Sequence, residues 1–150
     1  MRDLVDIPPV WLLAAIAVLW AQSQVFPLGL GLDPGILRAA AWGVGLVGCA
    51  LIAAAVLAFF QARTTTIPHR MPERLITSGI FARTRNPIYL GDAFILMAAG
   101  LWWNAGFVVL LLPLFVWWID RHFIQTEEQR IRHRFGAEFD KYAEKTRRWL

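Results

Sequence analysis

Apolar runs long enough to cross a lipid bilayer constrain this chain more than any other feature. The first, VWLLAAIAVLWAQSQVF, lies within Pro9–Phe26, and the second runs from Ile36 to Phe60. A third apolar stretch, Pro87–Ile119, is too long for one straight crossing and is interrupted by Trp102-Trp103-Asn104-Ala105-Gly106. A helix rises about 1.5 Å per residue, so about 20 residues traverse the hydrocarbon layer. Backbone polar groups must also be satisfied within the span, which favours helices. The expected architecture is therefore all-α: an integral membrane protein of four transmembrane helices, at about 9–26, 36–60, 87–103 and 105–120. The last two form a hairpin turning at Asn104–Gly106. The whole chain, 1–150, reads as a single membrane domain with a polar loop over 61–86 and a C-terminal segment over 121–150.

Composition and charge placement agree with this reading. The chain is 57% hydrophobic and 17% charged, against about 25% charged in ordinary soluble domains. Of its fifteen Lys and Arg residues, all but Arg2 and Arg38 fall in the 61–86 loop or the tail from Arg121. Basic residues gather on the cytoplasmic side of membrane proteins. Four spans put both basic segments and the N-terminus on that side, in the inner membrane if the source is bacterial. The basic tail then meets anionic lipid headgroups rather than nucleic acid. No cleavable signal peptide is expected, because the first apolar run is long and lacks a small-residue cleavage site.

Several motifs are structural on inspection. Gly43-Val44-Gly45-Leu46-Val47-Gly48 fits a dinucleotide fingerprint by spacing, but it lies inside a membrane helix with no preceding strand. Ala41, Gly45, Cys49 and Ala53 recur every four residues and predict a small-residue stripe for close helix packing, internal or in a homodimer. Cys49 reads as a packing residue. There is no HExxH and no Cys/His ligand spacing, so no metal is expected.

The tail is more informative. Ile124, Ile131, Phe135, Phe139 and Tyr142 share one face of an amphipathic helix, and Gly136 is a point where it can bend. Glu128 falls in that apolar stripe, with Glu127 at its edge. A membrane-surface helix accounts for the apolar face but not for a carboxylate within it, because a desolvated acid needs a partner. Asp92, one turn inside the third span, either lines a pocket or snorkels to the interface. Arg85 and Tyr89 also have bland readings, as a phosphate anchor and an interfacial belt residue.

Two ordered segments carry a resemblance. The first is Thr77-Ser78-Gly79-Ile80-Phe81, followed by Arg85-Asn86-Pro87-Ile88-Tyr89-Leu90-Gly91. The second is Glu127-Glu128, then Phe135-Gly136, Phe139, Tyr142 and a closing Arg148-Trp149. In this order and spacing, over about Thr64–Trp149, they resemble the isoprenylcysteine carboxyl methyltransferase and phospholipid methyltransferase family. Ile80 stands where that family's turn has proline. The resemblance implies S-adenosylmethionine as methyl donor, a lipophilic acceptor, and a site framed by Arg85, Asn86, Pro87, Tyr89, Leu90, Gly91, Glu127, Glu128 and Tyr142. Glu127, Glu128, Tyr89 and Tyr142 suit the donor's amino group, ribose and sulfonium. Arg85, Asn86 or His122 suit its carboxylate. His122 and Glu128 are the candidate bases should the acceptor need deprotonation, and Arg85, Glu128 and His122 are the expected catalytic set. Two other readings stay open: an NADPH-dependent membrane reductase of the steroid and sterol type, and a membrane scaffold without catalysis.

Overall fold

A computed structural model describes residues 7–62 and 74–150, and among these residues every regular element is helical. The order is α1 (Pro8–Val25), α2 (Pro34–Ala62), a 3₁₀ turn (Gly79–Ala82), α3 (Pro87–Trp102), α4 (Val108–Ile119), a π turn (Asp120–Ile124), α5 (Gln125–Phe135) and α6 (Ala137–Lys145). Part of the expected polar loop, including Pro68, His69 and Pro72, lies outside the described residues.

Prolines set several of the starts. Pro8, Pro34 and Pro87 each open a helix, where the missing N–H costs no hydrogen bond. Three helices are long and apolar enough to cross a membrane by length and composition: Pro8–Val25, Pro34–Ala62 and the continuous rod Val108–Phe135. The third expected span, α3, is apolar but has only 16 residues. That is about 24 Å of helix against about 30 Å of hydrocarbon. The helix can be short because it is the centre of the bundle. Tyr89, Leu90, Gly91, Asp92, Ala93, Leu96 and Gly100 are all buried in it, whereas α2 buries only Leu37, Ala41, Gly48 and Ala55.

The α2–α3 contact is the most extensive helix pairing, and glycine makes it possible. A Cβ at Gly91 would lie 2.6 Å from Ile52 Cγ1 and 2.8 Å from the Gly48 carbonyl oxygen. A Cβ at Gly48 would lie 2.9 Å from the Gly91 carbonyl oxygen. The packing face of α2 is thus Leu37, Ala41, Gly48, Ile52 and Ala55, with Gly45 beside Ala98. The expected stripe held for Ala41 and Gly45, but Cys49 and Ala53 are exposed. A strict four-residue repeat drifts about 40° per step around a 3.6-residue helix. The contact therefore mixes steps of four and three.

The opposite end of the bundle is stitched by polar side chains. Buried Gln22 donates to the carbonyls of Phe26 and Leu28 and accepts from the Phe107 amide. Asn104 has φ 50°, a left-handed conformation that asparagine tolerates, and its Oδ1 accepts from the Leu30 amide at 2.7 Å. The α3–α4 turn falls where Trp102–Gly106 predicted it.

The tail differs from a separate helix over 121–150. The last apolar span runs on without a break into α5 through the π turn, whose closing bond runs from the Gln125 amide to the Asp120 carbonyl. The amphipathic stretch is then split at Gly136, which has φ 52° and ψ −125°. Glycine reaches this conformation without a Cβ clash. Phe139 and Tyr142 therefore belong to α6, which folds back beside the 3₁₀ turn.

Candidate functional site

The site begins in the turn that leads into α3. Gly79, at φ 62°, opens the 3₁₀ turn, and Asn86 precedes proline in non-helical geometry. The last residues of the chain run back along this turn. The Arg85 amide donates to the Arg147 carbonyl at 3.0 Å, and Asn86 Nδ2 donates to the Arg148 carbonyl at 3.0 Å. Thr84 is fully buried. Its hydroxyl donates to the Arg148 carbonyl and accepts from the Asn86 amide, both at 3.2 Å, so neither capacity is wasted.

Arg85 then joins three elements. Its Nη1 donates to the carbonyls of Ala143 and Thr146, at 3.0 and 2.8 Å, where α6 ends. A cation is favourable at a helix C-terminus, and it also satisfies carbonyls that have no helical partner. Its Nε donates to Glu128 Oε1 at 3.0 Å. Arg148 reaches the same carboxylate from the other side, with Nη2 2.7 Å from Oε2 and Nε 3.2 Å from Oε1. Arg148 Nη1 also lies 3.3 Å from both oxygens of Asp120, which accepts from Gln125 Nε2 at 2.9 Å. Glu128 is buried, and two charge-assisted partners offset the cost of placing its carboxyl group on an otherwise apolar face.

The aromatic members are held just as firmly. The Tyr89 hydroxyl donates to Glu127 Oε1 at 2.9 Å, and the Tyr142 hydroxyl donates to the Phe81 carbonyl at 2.6 Å. Burial pushes the Tyr142 phenol up to about 12, with Arg85 pulling down and Glu128 pushing up, so it remains a hydrogen-bond donor at neutral pH.

These groups face a half-open cavity of about 480 Å³. This is within the range of small-molecule sites. Arg85, Asn86, Tyr89, Asp92, Glu127 and Glu128 form its polar side. Ile52, Val56 and Phe59 of α2 form the facing apolar wall, and the start of α1 and Arg74–Ile76 border the mouth.

Residues 39–138 match the model of the phospholipid methyltransferase family. The chain belongs to this family. No curated protein and no solved structure matches it. The phospholipid methyltransferase match spans α2 to the start of α6. It includes Arg85, Glu127 and Glu128 and ends before Tyr142 and Arg148.

Of the residues expected from sequence, Arg85, Asn86, Pro87, Tyr89, Glu127, Glu128 and Tyr142 line one cavity. Leu90 and Gly91 are buried outside its lining, and Gly91 serves the α2–α3 contact. His122 does not reach the cavity. It is exposed and stacks on Trp118 at 4.8 Å, nearly parallel. Six residues separate it from Glu128, about 240° around a regular helix, and the π turn adds to the offset. Sequence reasoning missed Asp120 and the role of Arg148 in holding Glu128. The closing Arg-Trp pair was the available signal for Arg148.

Proposed function

We propose that this chain transfers the methyl group of S-adenosylmethionine to a lipophilic or small amphipathic acceptor at the cytoplasmic membrane interface. The observation that carries this reading is the cavity's division into a side bearing Tyr89, Glu127 and Glu128 and a facing wall of α2 side chains. A polar, cationic donor and an apolar acceptor need such a division in order to meet.

The residues present fit the donor. When bound, it supplies an electrophilic methyl on a positively charged sulfur. Glu127 and Glu128 offer acceptors for amino and hydroxyl groups, while Asn86 and Arg85 border the cavity with donors for a carboxylate. The Tyr89 ring adds an aromatic surface beside the carboxylates. Methyl transfer is an in-line displacement governed by alignment and exclusion of water. The Arg85–Glu128–Arg148 network contributes alignment by fixing α5 and the end of α6 against the α3 turn.

In this reading α1, α2, α3 and α4 are the four spans of a single domain, 1–150. The cavity end, with the N-terminus and both basic segments, faces the cytoplasm, in the inner membrane of a bacterial cell. The distribution of Lys and Arg supports that orientation.

Calorimetric titration of the detergent-purified protein with S-adenosylhomocysteine, alongside NADPH, tests this proposal. Saturable binding of S-adenosylhomocysteine and none of NADPH is the expected result. Binding of NADPH alone, or of neither by a folded sample, would overturn it.

A further inference from the structure

A second cavity, of about 230 Å³, lies at the end of the bundle away from the candidate site. Three helix ends wall it: Gln24 of α1, Leu37 and Arg38 of α2, and Trp102, Trp103 and Asn104 where α3 stops. α1 and α2 both pack on α3, and the cavity occupies the gap where their ends meet its last turn.

Arg38 is the only Lys or Arg in residues 9–62 and 87–119, the stretches that hold the apolar runs. An arginine at the end opposite the basic loop and tail runs against the usual asymmetry of membrane proteins and calls for a reason. An arginine that only snorkels extends into the general headgroup layer. Arg38 instead lies over the Trp102 ring, with its guanidinium carbon 5.8 Å from the ring centre, and borders the cavity. Trp42 meets Trp102 edge-on at 5.9 Å and so braces that ring.

Among the described residues Arg38 has no hydrogen-bond or ion-pair partner. Asp33, the acid at this end, is turned to its own helix. Its Oδ1 accepts from the Gly35 and Ile36 amides at 2.8 and 3.1 Å, so the first amides of α2 are already taken. Asn104 uses Oδ1 for the Leu30 amide, which leaves Nδ2 as a donor. The lining thus offers a planar cation and an amide donor, with no carboxylate among the described residues. That is the complement of a phosphate. Apolar surface adjoins it on α2, where Ile36 and Trp42 are exposed, and acyl chains can lie there while a headgroup fills the cavity.

We propose that this cavity binds the phosphodiester of an anionic lipid, with Arg38 and Asn104 as donors and the two tryptophans as the wall at headgroup depth. A zwitterionic lipid carries the same phosphate, but its ammonium would find no carboxylate on this lining. The bound headgroup would clasp the ends of α1, α2 and α3. On the orientation given above, the site belongs to the outer leaflet. The inference is independent of the chemistry in the other cavity.

Hydrogen exchange resolves the two ends of the bundle, and so separates this site from lipid held by the basic tail. The detergent-purified chain is titrated with phosphatidylglycerol, with phosphatidylcholine and with soluble glycerol 3-phosphate. Phosphatidylglycerol should slow exchange over 21–30 and 101–107, and the other two should not. Arg38→Gln should raise the half-saturating phosphatidylglycerol concentration at this end about ten-fold, the scale of one charge-assisted hydrogen bond, and leave the response of α5 and α6 unchanged. Arg38→Lys keeps the charge without the planar fork and should fall between. Arg134→Gln, on the exposed side of α5, should leave this end as in the wild type. No slowing over 21–30 and 101–107, equal slowing by phosphatidylcholine, or slowing that survives in Arg38→Gln would overturn the proposal. Slowing by glycerol 3-phosphate at the same concentration as by lipid would overturn the lipid assignment and make a soluble phosphate ester the ligand.

Discussion

Glu128→Ala is expected to weaken S-adenosylhomocysteine binding ten-fold or more and to destabilise the cavity end of the bundle by about 3 kcal/mol. Both effects have one origin. The Glu128 carboxylate stands between two guanidinium groups, and Arg85 cannot swing out to water because it also closes the end of α6. The side chains of Arg85 and Glu128 are only 13% and 10% exposed, so removing the acid strands a buried positive charge. The Arg148 side chain, 34% exposed, is partly screened by solvent, which keeps the estimate near the lower end for broken buried pairs. Glu128→Gln preserves shape and some hydrogen bonding, and should fall between the two. Thermal unfolding in detergent and calorimetry on the same samples measure the pair of effects. An alanine variant with unchanged Tm and unchanged affinity would remove Glu128 from both roles.

The second large effect is expected from Gly91→Val. The contact it breaks is with backbone as well as side chain. Ile52 can change rotamer, but the Gly48 carbonyl oxygen, 2.8 Å from the added Cβ, can move only if α2 moves. Gly91→Ala should cost about 1–3 kcal/mol, the usual range for overpacking, and valine more. Because Tyr89 and Asp92 flank Gly91 on the same helix, displacement of α3 should also lower affinity for S-adenosylhomocysteine. Combining Gly91→Ala with Ile52→Val should recover only part of the loss, since the carbonyl contact persists. A Gly91→Val protein that purifies as a monodisperse species with wild-type Tm would show that α2 and α3 separate freely at this point.

Local chemistry was legible in the sequence, and contacts that return from a distance were not. The apolar runs marked the long helices to within a few residues, and Trp102–Gly106 marked the hairpin turn. Glu128 stood out because it interrupts an apolar face, which is a one-dimensional signal. Its two partners lie 43 and 20 residues away along the chain, and no periodicity connects them. Arg148 and Asp120 were therefore missed. Asp92 looked the same whether it faced lipid, a neighbour or a cavity, and only the packing of α2 against α3 decides that. His122 was overvalued for its residue type, although its angular distance from Glu128 could have been read from spacing alone. The Gly136 break was anticipated as a bend, but its consequence, α6 returning to the 3₁₀ turn, depends on Tyr142 meeting the Phe81 carbonyl.

The π turn at Asp120–Ile124 sets the rotational phase of the carboxylates. Below it the buried positions of the rod include Phe115 and Ile119, and from it onward they are Phe123, Ile124 and Glu128. The interval from Ile119 to Ile124 is one residue longer than the four-residue steps on either side. That extra residue acts as a dial, turning α5 relative to α4 by about 100° at almost no change in length. Regular winding would bring Glu127 rather than Glu128 to the position facing the α3 turn. A one-residue insertion between 125 and 127 would leave hydropathy, charge and span length nearly intact, and would swing Glu127 and Glu128 by about 100° away from Tyr89 and Arg85. Spacing between the apolar span and the Glu-Glu pair is thus a coded quantity, in the way a reading frame is: correct to the residue or not at all.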